Sequence, residues 1–503
     1  MPSLSAQAFF EAKTRDGIAL TFDDIQVETG YADFLPGDIC IAGKFSRNVP
    51  LLVPVVGAAM STVVHAPMAI ALAKFGGIGS VPRSFDPDAQ AREVARVKNN
   101  IHGFTDNPVP AQENETVERL LQRRREKGWE FDSFPVIDKN KKLVGLITHQ
   151  NFKRTDDHSM KIGAVMTKLA DLYTAKVGVS KQEAYQLLKQ HDKNVLPVLN
   201  PDGTLAGIYV YSDLKRILTE KTNHNVDAQG RLRVCAAIGV GEEALRRAEL
   251  LVTKGCDVFH IDMAHGHQKV VIDTVRLLKQ RFRNGPDIVA GNISNREAAR
   301  ALLDAGADGI LVGQGGGAIC TTRRITGIGK PQVSAVWECM WELRKDFSDV
   351  PICSDGGIRG SGDILKALAA GAKSVMVGNL LAGTDEAPGE KHFYNGRYVK
   401  DFYGMGSLRA MKESPASRQR YSHTEGVLVP EGVEAVVPYK GPVRDILEQQ
   451  VGGLRKGFLD CGAKTLAQLQ DKAKFFQVTA AGVVESHPHD VTITAEAPNY
   501  SRM

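Results

Sequence analysis

The sequence predicts an α/β protein: a closed (β/α)8 barrel of the TIM type with one inserted domain. Eight short apolar runs recur along the chain, each followed by a helical or loop stretch. The runs are continuously apolar rather than alternating, which is the pattern of parallel strands covered on both faces. Their spacing breaks once, between Val81 and Val234, where a second folding unit is expected.

In order, the strands are expected at Leu51 to Val56, Gly77 to Val81, Val234 to Ile238 and Val258 to Asp262. They continue at Asp287 to Ala290, Gly309 to Val312, Pro351 to Ser354 and Ser374 to Val377. Arg296 to Ala305 and Gly362 to Ala370 read as helices packed outside them. In such barrels chemistry sits on the loops after the strands, and Asp262, Asn292, Cys320 and Asp355 all fall there. The barrel is assigned to residues 1–99 and 226–503, and the insert to residues 100–225.

The insert repeats itself. Ser133 to Asp138, Leu143 to Thr148 and Asn151 to Arg154 correspond to Val195 to Leu199, Leu205 to Val210 and Asp213 to Arg216. Each copy reads helix, strand, turn, strand, helix, so the two should pack as a pair. This resembles a tandem cystathionine-β-synthase (CBS) module. The resemblance implies an adenine or guanine nucleotide as ligand, with Thr148 and Asn151 in the first copy and Asp213, without a matching threonine, in the second at the ribose-gripping positions; a purely structural insert is the other reading.

A net charge of +5 over 503 residues gives no sign of a nucleic-acid or membrane partner. The most apolar stretch, Leu51 to Met60, is too short to span a bilayer. Seven scattered cysteines suit a reducing compartment rather than a disulfide framework, and a soluble cytoplasmic protein is expected. The histidine pairs at 265/267 and 487/489 lack a third ligand at zinc-site spacing and read as loop histidines.

The stretch Gly313 to Arg323 carries the most chemistry. A glycine-rich turn after an apolar strand presents Cys320 beside Thr321 and Thr322. A thiolate adds readily to an electrophilic carbon, and a neighbouring hydroxyl positions the water that later releases the adduct. Further ordered motifs accompany it: Leu20 to Asp24, Ala58 to Val63, Asp262 to His267, Ala290 to Asn292 and Ser354 to Arg359. Gly404 to Ser407, Arg420–Tyr421, Pro430 to Val433 and Glu485 to Asp490 follow. With these, nearly the whole chain resembles the IMP dehydrogenase family.

The resemblance implies that Cys320 adds to C2 of inosine monophosphate (IMP), that hydride passes to NAD, and that water positioned by Thr322 releases xanthosine monophosphate (XMP). It implies a mobile flap over residues 389–431, whose Arg420 and Tyr421 replace the departing NADH and activate that water. Met405, Gly406 and Glu431 would then line the purine, Ala58 and Met60 would also bind the substrate, and Asp355 would accept ribose hydroxyls. Gly356, Gly357, Gly378 and Asn379 fall to the phosphate, and Asp262, Asn292 and Gly313 to the nicotinamide. By the same resemblance K⁺ is held by Gly315, Gly317 and Cys320, with Glu485, Ser486 and His487 of a neighbouring subunit, in a homotetramer or an octamer.

Four positions depart from the family pattern. Ala318 and Asn379 stand where serines are usual, and Phe402 where a tyrosine is usual, with Tyr403 next to it. Each lost hydroxyl donor to a phosphate costs roughly 1.5–3 kcal/mol unless Asn379 and Tyr403 compensate. Met263 replaces a small hydroxyl residue on the cofactor side. Two other readings stay open: GMP reductase, which needs a glutamate where this chain has Leu408, and a non-catalytic nucleotide sensor on the same fold.

Overall fold

In the computed structural model the described residues are 4–500, except 102, 106, 107, 128, 130, 220–222 and 423–425. They divide into two compact units: Met1–Asn100 with Asn223–Asp227 and Leu232–Met503, and Ile101–Thr222 with Ala228–Arg231.

Eight strands of the first unit close into a parallel barrel. They are β1 (Val55–Gly57), β2 (Ile78–Val81), β3 (Cys235–Ile238), β4 (Val258–Asp262), β5 (Asp287–Ile293), β6 (Gly309–Val312), β7 (Ile352–Asp355) and β8 (Ser374–Val377). β8 pairs with β1 through Met376 and Val56, which closes the ring. Every residue of β1 to β6 and β8 is buried, as two covered faces require. The helix Arg296–Asp304 shows how the outer layer forms. The Asn295 side chain accepts the Ala298 N–H at 2.9 Å, and Ala298, Ala299, Leu302 and Leu303 turn one apolar stripe inward.

The run Leu51 to Val56 does not form one strand. Val49–Leu51 pairs antiparallel with Gly43–Ser46, and the barrel strand begins only at Val55. Pro54 has no N–H for a ladder, while Leu52 and Val53 both donate to the Gly76 carbonyl, so the chain turns between the two pieces. The hairpin side chains Phe45, Val49 and Leu51 pack on the inward-facing Val56, Val258, Val289 and Leu311. They plug the barrel at the amino-terminal end of its strands, since a Cβ on Gly309, the first residue of β6, would meet the Phe45 carbonyl oxygen at 2.8 Å. The opposite end is left for the site.

Beyond β8, a three-stranded antiparallel sheet (His392–Tyr394, Arg397–Tyr403, Glu434–Pro438) carries an excursion between Tyr403 and Glu434. Two short helices, Leu408–Glu413 and Pro415–Arg420, lie within it.

The second unit contains the two predicted copies. One has helix Val117–Lys127, strands Phe134–Ile137 and Leu143–Ile147, and helix His149–Lys153; the other has helix Lys181–Gln190, strands Val195–Leu199 and Leu205–Val210, and helix Tyr211–Thr219. Each strand pair belongs to its own four-stranded sheet over its own apolar cluster. Thr148 donates its hydroxyl to Asn151 Oδ1 at 2.9 Å, and Asn151 Nδ2 donates to the Val165 carbonyl at 2.8 Å. This polar pair is therefore spent on a helix start.

No helix among the described residues is long and apolar enough to cross a membrane.

Candidate active site

The cysteine loop owes its path to glycine. Gly313, directly after β6, has φ +148°, and a Cβ there would lie 1.9 Å from the Asp355 carbonyl oxygen. Only glycine lets this loop cross the end of β7 so closely. Arg323 braces the loop by donating from Nε to the Gln314 carbonyl at 3.0 Å and from Nη2 to the Lys330 carbonyl at 2.5 Å. On the other side, Thr321 N–H donates to the Glu431 carbonyl and Val433 N–H to the Ile319 carbonyl, each at 3.0 Å. So held, Cys320 Sγ stands 3.1 Å from Thr322 Oγ1.

A cleft opens over the carboxyl ends of the strands, and Cys320, Thr322, Arg420 and Tyr421 all line it. Ala58, Met60, Met405 and Glu431 line it too, as do Asp355 and Gly356, Asp262, Asn292 and Gly313, and Gly315 and Gly317. Most of the predicted site is thus gathered into one space. The other expected residues do not line the cleft. Tyr421 covers Gly406, whose Cβ would meet the phenol ring at 2.6 Å. Gly357, with φ +78°, packs near the Phe22 ring, and Gly378 lies beside Met60 and Phe402. Asn379 is exposed, its carbonyl accepting from Lys440 Nζ at 2.5 Å. Glu485, Ser486 and His487 lie on an exposed stretch at the end of helix Ala480–Glu485. Phe402 is buried, while Ser61 donates to the Tyr403 hydroxyl at 3.3 Å.

Electrostatics centre on an ion pair. Arg420 Nε donates to Asp262 Oδ1 at 2.7 Å, and its Nη1 donates to the Tyr421 hydroxyl at 2.9 Å. Burial works against the Arg420 charge, but the neighbouring Asp262 and Tyr421 outweigh it and raise the pKa further. Arg420 is therefore a fixed cation. Burial pushes the Tyr421 phenol up to about 12. Burial also acts on Asp262, yet the Arg420 and Arg83 guanidiniums hold its carboxyl below the usual range. Asp355 goes the other way: burial lifts it to about 6, although Asn292 Nδ2 donates to it at 2.7 Å.

Three contributors were not anticipated from sequence. His260, 1% exposed in β4, lines the cleft; burial lowers its pKa to about 4, so it is neutral. Its position offers a signal, since Val258, His260 and Asp262 share one face of a strand. Arg83 and Gln419 meet behind Asp262, and nothing in their local sequence announces it.

Fold and site together define a barrel enzyme whose loop thiol and paired threonine, faced by a fixed arginine, suit the formation and hydrolysis of a covalent adduct. Comparison with known proteins makes this specific. The sequence model of the IMP dehydrogenase / GMP reductase domain matches residues 19–489. Inosine-5'-monophosphate dehydrogenases of Halalkalibacterium halodurans and Aquifex aeolicus are each 43% identical to this chain, over 96% and 97% of it and 98% and 99% of their own lengths. The chain belongs to the IMP dehydrogenase / GMP reductase family. Among solved structures, a cysteine-to-alanine GMP reductase of Trypanosoma brucei in complex with guanosine 5'-monophosphate superposes with a TM-score of 0.88 at 36% identity, covering 94% of this chain and 98% of that one.

Proposed function

We propose that this chain is an NAD-dependent dehydrogenase that oxidises IMP to XMP, as its curated relatives' names state of them. The observation that carries the reading is the juxtaposition of Cys320 and Thr322 with Arg420 and Tyr421 in one cleft. The Cys320 sulfur forms a bond to C2 of the purine, and the C2 hydrogen leaves with its electron pair. NAD⁺, when bound, supplies the acceptor for that hydride. Water oriented by Thr322 then attacks C2, the S–C2 bond breaks, and Cys320 is regenerated. Arg420 polarises and orients that water beside Tyr421.

Asp355 accepts the ribose hydroxyls, and backbone N–H groups at Gly356 and Gly357 hold the phosphate that Ala318 and Phe402 cannot reach with a hydroxyl. The dinucleotide end fits the residues present: Asn292 Oδ1 is buried without a hydrogen-bond partner among the described residues, an acceptor suited to a carboxamide N–H. Asp262 is engaged by Arg420, so nicotinamide and the Arg420–Tyr421 segment would compete for one place. The family resemblance assigns the segment carrying Arg420 and Tyr421 to a mobile flap, and this competition accords with that assignment.

K⁺ belongs with the backbone carbonyls of Gly315, Gly317 and Cys320. Gly317 already accepts the Cys320 N–H at 3.0 Å and keeps a second lone pair. Glu485, Ser486 and His487 would complete the shell from a neighbouring subunit of a homotetramer. Residues 100–225 are assigned as a regulatory insert for an adenine or guanine nucleotide.

The test is NADH formation from IMP and NAD⁺ with K⁺ present, comparing the intact chain with Cys320→Ala. Turnover lost in the variant supports the mechanism, and turnover that survives it ends the covalent route. Oxidation of NADPH on adding GMP, with no activity on IMP, would instead make the chain a reductase.

A further inference from the structure

Arg83 follows β2 and is 5% exposed, yet among the described residues its guanidinium hydrogen-bonds to no carboxylate. Nη1 donates to Gln419 Oε1 at 2.5 Å, and Nη2 donates to the Asp262 backbone carbonyl at 3.1 Å and lies 3.8 Å from Met263 Sδ. Its Nε has no partner among the described residues. Burial pulls its pKa down to about 10, with Asp262 and Glu243 supporting the charge and Arg420 and Arg247 opposing it. A buried cation whose hydrogen bonds go only to neutral acceptors is a costly way to stabilise a barrel. Its placement makes sense through what it holds. Gln419 immediately precedes Arg420, and Asp262 is the residue Arg420 pairs with. One guanidinium therefore fixes both ends of the ion pair.

The surroundings are built to admit this contact. A Cβ on Gly239, in the loop after β3, would meet Gln419 Oε1 at 2.3 Å and Arg83 Nη1 at 2.7 Å. A backbone bond from Ala264 N–H to the Arg420 carbonyl, 3.0 Å, lies next to it. If the segment withdraws, Arg83 Nη1 loses its hydrogen bond to Gln419, which disfavours the open state.

We propose that Arg83 is a positioning residue: with Gln419 it forms a clasp that holds the Arg420–Tyr421 segment over the cleft, and so sets how strongly that segment competes with the dinucleotide for Asp262. The inference rests on the flap assignment made above.

Two variants of the full chain pull in opposite directions. Arg83→Met keeps length and volume but removes the charge and both donors. Gln419→Glu puts a carboxylate against Arg83 and tightens the clasp. In Arg83→Met the first-turnover burst of NADH from IMP and NAD⁺ persists, steady-state turnover falls about 10- to 100-fold, and the KM for NAD⁺ falls. In Gln419→Glu the KM for NAD⁺ rises. Gln419→Ala, a half-buried position in the excursion, should reproduce Arg83→Met if that variant folds poorly.

Hydrogen exchange reads the clasp without any reaction. The peptide containing Ala264 should lose protection in Arg83→Met and gain it in Gln419→Glu. Unchanged exchange in both variants, or burst and turnover falling together in Arg83→Met, overturns the clasp. A wild type that makes no NADH overturns the proposed reaction instead and leaves the exchange experiment to decide the clasp.

Discussion

Asp355 is where fold stability and the proposed substrate binding make opposite demands. Its carboxyl sits at the end of β7, and burial lifts its pKa from 3.8 to about 6, only partly offset by the Asn292 bond and the charge of Arg420. In the unfolded chain the same group ionises at lower pH, so between roughly pH 4 and 6 the native state holds the extra proton. Stability therefore falls as pH rises through that window. Above it, the ionised carboxylate costs the fold about 3 kcal/mol, from roughly two pH units at 1.36 kcal/mol each. Asp355→Asn removes the charge and keeps an oxygen for Asn292. Thermal unfolding of the variant beside wild type should show a gain of a few degrees in Tm at pH 8, vanishing near pH 4. The same variant should raise the KM for IMP about tenfold or more, because the ribose loses a charged acceptor. Wild-type affinity for IMP should likewise weaken below about pH 6 as the carboxylate is protonated. A variant no more stable than wild type at pH 8, or equally stabilised at both pH values, refutes the reasoning.

Three further outcomes are expected. Tyr421→Phe removes the hydroxyl that accepts from Arg420, and should slow release of the covalent intermediate by about 10- to 100-fold while leaving the NADH burst intact, as rapid-quench kinetics would reveal. Gly313→Ala forces a methyl group against the Asp355 carbonyl at a positive φ; loss of activity together with a lowered Tm is expected, and an active variant of unchanged Tm would contradict the loop geometry. Replacing K⁺ by Na⁺ should reduce turnover without changing the far-ultraviolet circular dichroism, because the carbonyls of Gly315, Gly317 and Cys320 are fixed by the loop rather than by the ion; activity indifferent to the cation would remove K⁺ from the site.

Much of this is legible in the sequence alone. Strands buried on both faces must be apolar throughout, so Val258 to Asp262 and Ser374 to Val377 could be marked to the residue. Leu51 to Val56 misled for the same reason, since an apolar run does not reveal that Pro54 ends one pairing and Val55 begins another. Cys320, Asp262, Asn292 and Asp355 were visible because reactive groups at strand ends stand out against apolar runs.

By itself the sequence determined the barrel, the place of the insert, the cysteine loop and the family, because each is written in local pattern and ordered motifs. Only the tertiary structure decided how the charges are arranged. The Arg420–Asp262 pair joins residues 158 positions apart, and the Arg83–Gln419 contact joins residues 336 apart. His260 became neutral, and Asp355 came to ionise near pH 6, through burial that no single segment encodes. Hydrophobic period is a property of neighbours along the chain, whereas desolvation and ion pairing depend on what closure of the barrel brings within a few ångströms.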